Sequence, residues 1–267
     1  MTNKHKSKHK FENNPFFIAS NGITTLVEKA QGVFILFVVV AIVELFSNDS
    51  PDASKDSYSE MVSTLQSWTS QEWTLFLGSG FFIALAAIMI YALFSGVSSY
   101  TSAQLARGFH VNIRDAFRVS FENLWAYLWL QIIIFVKIFL WSLLFIIPGI
   151  IMAVRYSLAG VAFFDEKKHL RGDAAVKESI RMTKNAWITT YAAGALFNIL
   201  TLGTVSRIVG TSVNAVLYDQ FEKTGDKKPD AHWLSWATLI IPFVAIAFVL
   251  LLVGIGGILL GVINLPF

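Results

Sequence analysis

Residues 124–164 read LWAYLWLQIIIFVKIFLWSLLFIIPGIIMAVRYSLAGVAFF, and this stretch decides the fold. Its only charged residues are Lys137 and Arg155. A single helix needs about 20 apolar residues to cross a hydrocarbon core, so the run is long enough to cross and return. Pro148-Gly149 supplies the punctuation, because proline lacks an amide donor and glycine turns freely. The spacing predicts a helical hairpin with arms Leu124–Ile147 and Gly149–Phe164. At 1.5 Å per residue the return arm is about 24 Å long and barely spans.

Working outward, further apolar runs flank the hairpin on both sides. Gln31–Phe46 and Thr74–Ser95 precede it, and Ala186–Tyr218 and Trp233–Leu260 follow. Ala186–Tyr218 is too long for one upright helix and carries a polar break, TLGT, at residues 201–204, which predicts a second short hairpin. The expected fold is therefore all-α, a polytopic transmembrane helical bundle of seven spans. The alternative has six, with Ala186–Tyr218 as one tilted helix. With 55% hydrophobic and 15% charged residues, the 267-residue chain is not an ordinary soluble domain. It contains no cysteine, which removes disulfides and thiolate metal ligands.

Charge sets the expected orientation. The start, MTNKHKSKHK, is basic, and no small-residue cleavage site follows the first apolar run, so it reads as part of an uncleaved anchor. Residues 47–72 instead carry Asp49, Asp52, Asp56, Glu60 and Glu72 against the single cation Lys55. The positive-inside bias then gives a basic cytoplasmic tail at 1–22, an acidic outer loop at 47–72 and a membrane domain over 23–232. An additional C-terminal transmembrane helix occupies 233–267. The same bias makes the segments with Arg107, Arg114 and Arg118, and with Asp165 to Lys184, cytoplasmic.

Two of these segments share a pattern. Ile113, Ala116, Phe117, Ser120, Phe121 and Leu124 follow the spacing of one helix face, and Gly172, Ala175, Val176, Ser179, Ile180 and Thr183 repeat it 59 positions later. Each copy leads into a span, a turn and a return arm, ending at Phe164-Asp165 in one and Tyr218-Asp219 in the other. The predicted repeat is a cytoplasmic amphipathic helix plus a transmembrane hairpin. A fainter copy begins at Ile23, Leu26, Val27 and Ala30.

The stretch LLFIIPGIIMAVRYSLAGVAFFDE (143–166), with GDAAVKESIRMTKNAW (172–187), resembles the bacterial glycerophosphoryl diester phosphodiesterase membrane-domain group and related uncharacterised integral membrane families. The likeness extends over roughly residues 100 to 225 and includes Asp115-Ala116-Phe117-Arg118 and the closing LYDQFEK. It implies a multi-helix module of the bacterial cytoplasmic membrane, sometimes fused to a soluble phosphodiesterase barrel. Such barrels hold a metal with carboxylates and paired histidines. Here His5, His9, His110, His169 and His232 are scattered over termini and loops, so the family name carries no activity.

Ionisable groups inside a membrane need a partner or a cavity, which makes Lys137 and Arg155 the sharpest candidates. On the two hairpin arms they stand at similar depth, where Arg155 could fork onto a phospholipid phosphate and Lys137 add charge. In the structural reading, Lys137 snorkels or pairs with Glu44, and Arg155 bonds backbone carbonyls or Gln131. Gly257 and Gly261 make a small-xxx-small spacing suited to helix packing or a dimer face. Trp125, Trp129, Trp141, Trp187 and Trp233 read as interface anchors. No phosphate loop, HExxH or nucleophile elbow occurs. The expectation is a non-catalytic membrane protein that needs no cofactor and binds or organises membrane lipids, anionic phospholipid among them, or membrane-protein partners and copies of itself. It has no nucleic-acid partner. The alternative is a small transporter or export permease working through Lys137, Arg155 and Glu44.

Overall fold

The computed structural model describes residues 11–47, 63, 67–201, 203–225, 228–241, 244, 248 and 251. Among the described residues all regular structure is helical. Ten helices run in order: α1 Pro15–Lys29, α2 Gln31–Ser47, α3 Ser70–Ala106, α4 Ile113–Glu122, α5 Leu124–Leu144, α6 Ile146–Tyr156, α7 Ala159–Phe164, α8 Asp173–Thr183, α9 Trp187–Leu200 and α10 Ser206–Thr224. Residues 233–241 are helical as well.

Among the described residues three helices are long and apolar enough to cross a membrane: α3, α5 and the α6–α7 segment Ile147–Phe164. The bent pair α1–α2, angled at 114°, makes four if it counts as one span. Their outer surface is apolar: Phe81, Phe82 and Ile83 of α3 and Trp125, Phe135 and Leu143 of α5 are each more than 60% exposed. Bare apolar surface on this scale is costly against water and inexpensive against lipid.

Local sequence sets the helix ends. Asn14 and Asn112 cap α1 and α4, each accepting a bond from the amide two residues on, at 3.0 and 2.9 Å. Thr69 and Glu72 form a capping box at the start of α3. The helix at Pro15 begins inside the segment expected to be tail, and Ile18, Ala19, Gly22 and Leu26 are buried. Helix α3 likewise runs on past Ser95, because its serines find partners on neighbouring helices.

The central hairpin turns earlier than Pro148-Gly149. Phe145 is extended, and Pro148 falls in the first turn of α6, where its missing amide costs no helical bond. Gly149 serves close approach instead, since a β-carbon there would lie 3.1 Å from the Ser142 Cα across the hairpin. The α6–α7 arm then breaks at Ser157-Leu158. The Ser179 hydroxyl fills the gap, accepting from the Leu158 amide at 3.1 Å and donating to the Arg155 carbonyl at 2.6 Å. In place of one tilted helix over Ala186–Tyr218, α9 and α10 are separate helices that pack together, joined through Gly203 at φ +82.

Packing follows a regular scheme. Helices α3, α7 and α10 contact one another at the centre; α1 packs on α10, α4 on α3 and α8 on α7. Small residues permit the close contacts: a β-carbon at Gly22 would stand 2.7 Å from the Ser212 carbonyl oxygen. The core built around this centre includes Tyr127, Leu130, Leu158, Met182, Leu217 and Tyr218. The basic start, the acidic stretch from 48 to 62, and Gly257 and Gly261 lie outside the described residues.

Candidate functional site: a hydroxyl-lined cavity and an ion cluster

Helix α3 carries Ser95, Ser98, Ser99 and Ser102 at i, i+3, i+4 and i+7, a polar stripe along one face of its C-terminal half. The stripe faces the central contacts. Ser98 Oγ lies 2.6 Å from Thr211 Oγ1, and Ser102 Oγ donates to the Thr211 carbonyl at 2.8 Å. Tyr127 Oη lies 2.9 Å from both Ser95 Oγ and Ser99 Oγ, and Gln131 Nε2 donates to Ser95 Oγ at 3.2 Å.

Beside the stripe is a cavity of about 250 Å³, lined also by Ser157 and Gly160 of the broken arm and by Ser206, Arg207 and Asn214 of α10. A recess of about 260 Å³ shares Tyr91, Ser95, Ser98, Ser206 and Arg207 with it and adds Glu44, so the two are parts of one depression. The side chains of Ser157, Ser206 and Asn214 make no hydrogen bond among the described residues. Arg207 Nε and Glu44 Oε1 face each other at 3.7 Å, both partly exposed.

Toward the other end of the stripe the packing is tight. Ser102 and Thr211 are fully buried, and beyond them the ends of α3, α7 and α10 meet in a cluster of charges. Arg107 bonds both carboxylate oxygens of Asp165, with Nε to Oδ1 at 3.2 Å, and both of Glu222, with Nη2 to Oε1 at 3.0 Å. Tyr218 Oη donates to Asp165 Oδ2 at 2.8 Å. Lys168 reaches Glu178 at 2.7 Å and Glu222 at 3.5 Å, and its ammonium lies 5.1 Å from the Tyr218 ring centroid. Along α3, Ser95 stands about 18 Å from this cluster.

The electrostatics of the cluster are those of a completed network. Burial opposes charge on Arg107, but its bonds to Glu222 and Asp165 hold it protonated above the usual arginine range. Burial pushes the Asp165 carboxyl up, and the hydrogen bonds from Arg107 and Tyr218 outweigh it, leaving the group below its ordinary value. The Arg181 hydrogen bond, against burial and with help from Lys168, holds Glu178 at about 2.

The other residues singled out by sequence are dispersed. Lys137 pairs with Asp173 at the start of α8, which also holds Lys177 at 3.0 Å, so its carboxylate partner is Asp173 and not Glu44. The reason is placement: α8 packs against α5 and brings its first-turn acid to Lys137. Arg155 points elsewhere, into a separate cavity with Lys184, Trp187 and Trp236, and its guanidinium bonds neither Gln131 nor a carbonyl. Glu44 and Gln131 meet at the hydroxyl-lined cavity. No family model, curated protein or solved structure matches the chain. Among the described residues no group of three or more His, Asp or Glu is placed to hold a metal.

Sequence reasoning missed the ion cluster and the serine stripe. The stripe was readable as a helical period within FSGVSSYTSAQLARG, which reads on its face as a polar exit from the span. The cluster had a fainter signal in the matched endings at Asp165 and Asp219 and in Arg107 at the corresponding end of α3.

Proposed function

We propose that the chain is a multi-pass protein of the bacterial cytoplasmic membrane that passes small polar solutes along its central axis. The reading rests chiefly on Ser157, Ser206 and Asn214, whose polar groups face an open cavity without protein partners between helices with apolar outer surfaces. Within a membrane, such groups are tolerated where they line a solvated path and are costly elsewhere. A discontinuous arm beside the cavity, broken at Ser157-Leu158, is the kind of element that forms solute sites in transporters. At about 250 Å³ the cavity suits a solute of few heavy atoms. Arg107, Asp165 and Glu222 form the inner closure, with the charged end in the cytoplasm and the Arg207–Glu44 mouth outside.

The architecture proposed with this function is seven spans in three helix-plus-hairpin units. Support comes from the packing, in which each short helix, α1, α4 and α8, lies on the return helix of another unit, α10, α3 and α7. In that scheme Gly22, Ser120 and Ser179 are equivalent, and the first copy starts at the Asn14 cap, which corresponds to Asn112, eight residues before the register expected from Ile23, Leu26, Val27 and Ala30. Likeness to the phosphodiesterase membrane-domain group is retained as part of this proposal. Organising lipid through amphipathic helices draws less support, because Ala175, Val176, Ser179 and Met182 of α8 are buried within the bundle.

The absence of cysteine provides a clean test. Ser98→Cys and Asn214→Cys in native membranes should react with a charged, membrane-impermeant maleimide added from the outside, while Ser102→Cys stays protected. A path of this kind is ruled out if Ser98→Cys and Asn214→Cys are both unreactive, or if they react only from the cytoplasmic side.

A further inference from the structure

Away from the axis, a cavity of about 470 Å³ lies between α6, the turn joining α8 to α9, and the helical residues 233–241. Arg155 enters it from the last turn of α6, Lys184 from the end of α8, Trp187 from the start of α9, and Asp230 and Trp236 from the far wall. Its two cations differ from those that the bundle pairs with carboxylates. Arg107, Lys137, Lys168 and Arg207 all have carboxylate partners. The Arg155 guanidinium and the Lys184 ammonium have no hydrogen bond or ion pair among the described residues.

Both are held in place by their backbones. The Arg155 carbonyl accepts from Ser179 at 2.6 Å and from Thr183 at 3.3 Å, and the Lys184 carbonyl accepts from Lys228 at 3.0 Å. The lining contains one carboxylate, Asp230, which bonds neither cation and leaves a surplus positive charge. Apart from Asn185 the remaining wall is apolar, and includes Ile151, Ile188 and the half-exposed Trp236. Two unpaired cations with tryptophans beside an apolar outer surface are the chemistry of a membrane-interface headgroup site.

We infer that this cavity binds the phosphate of an anionic phospholipid. Arg155 forks onto two phosphate oxygens, and Lys184 adds charge. Trp187 and Trp236 lie against the glycerol and the first acyl carbons, an apolar contact that a free phosphate ion could not use. The site is separate from the axial cavity and stands or falls independently of the transport reading.

The test is native mass spectrometry of the full chain in detergent, titrated with phosphatidylglycerol, with phosphatidylcholine or with inorganic phosphate. Phosphatidylglycerol should be retained in preference to phosphatidylcholine, and Lys184→Gln and Arg155→Gln should each reduce retention about tenfold or more, the loss expected for a charge-assisted bond. Arg155→Lys should keep part of the binding. Lys137→Gln, which removes the same charge from the Asp173 pair, should change nothing. Lys184 is exposed, so its variant reads binding without threatening the fold. Equal retention of the two lipids, or equal losses in Lys137→Gln and Lys184→Gln, would overturn the site. Displacement of phosphatidylglycerol by millimolar inorganic phosphate would overturn the lipid as ligand and leave a free-phosphate site.

Discussion

Two arginine–carboxylate contacts stand at opposite ends of α10 and are built differently. At one end Arg107 bonds all four oxygens of Asp165 and Glu222, with the Asp165 side chain 1% exposed. At the other, Arg207 and Glu44 face each other at 3.7 Å with 31% and 48% of their side chains exposed. The first contact joins the ends of three helices and buries the Asp165 carboxylate, while Arg107 is 13% and Glu222 30% exposed. The second links α2 to the start of α10 across a mouth that water reaches. Geometry and burial set what an ion pair costs to break, so the same residue types give a tight joint at one end and a loose contact at the other.

The largest expected effect comes from breaking the tight joint. Arg107→Met leaves the Asp165 carboxylate buried with Tyr218 and the Lys167 amide as its remaining donors. Removing one partner of a buried pair costs about 3–5 kcal/mol, so the thermal midpoint of the detergent-solubilised protein should fall by many degrees. The milder Glu222→Gln keeps the Arg107–Asp165 fork. It should stay folded while making Ser102→Cys reactive to the impermeant thiol reagent. Unchanged stability in Arg107→Met would remove the distinction between the two ends.

Next in size is a change in the wall between them. A β-carbon at Gly160 would meet Ser99 Cβ and Tyr127 Oη, both at 3.1 Å, so Gly160→Ala pushes α7 away from α3. The overpacking cost is about 1–3 kcal/mol. Gly210 lies along the same cavity on α10, where an added β-carbon would meet nothing within 4 Å, and Gly210→Ala should be neutral or stabilising by up to about 1 kcal/mol. Paired thermal melts of the two variants test whether the wall is as tight as the joint it leads to.

Acid should loosen the charged end selectively. Glu178 is held at about 2 against an ordinary 4.5, and Asp165 also lies below its ordinary value. For a depressed carboxyl the stabilisation is complete above the ordinary value and is lost as pH falls through the folded one. The Glu178 contribution should therefore disappear between about pH 4.5 and 2. Melts from pH 7 down to 3 should show this loss beginning below pH 5, with a shallower slope in Glu178→Gln. Equal slopes would place the acid sensitivity outside the cluster.

The helices were legible in the sequence because lipid-length apolar runs need no tertiary information, and the hairpins because polar or turn-forming residues interrupt those runs. Lys137 and Arg155 were visible as charges within apolar runs, but the partner of Lys137 and the surroundings of Arg155 were not. Asp173 is 36 positions from Lys137, and only the packing of α8 against α5 brings it near. The tight joint was hidden for the same reason: Arg107, Asp165 and Glu222 close three different helices, and no periodicity within one segment relates them. The serine stripe was within reach, since i, i+3, i+4 and i+7 is a helix face whether its residues are apolar or polar.

The smallest expected effect is at the mouth. Glu44→Gln removes the carboxylate from a 3.7 Å contact between half-exposed groups, and such pairs contribute about 0–1 kcal/mol. The melt should move by no more than a few degrees, while Arg207 keeps its position over the Phe94 ring, 5.8 Å from the centroid. The electrostatics of the mouth should change more than its stability, because the substitution leaves Arg207 as an unopposed cation beside Ser95, Ser98 and Ser206. An anionic thiol reagent should then label Ser98→Cys faster in the Glu44→Gln background, and a cationic reagent slower, with the difference shrinking as salt is raised. A large loss of stability from Glu44→Gln would mean that the mouth is a second tight joint, and the asymmetry between the two ends would disappear with it.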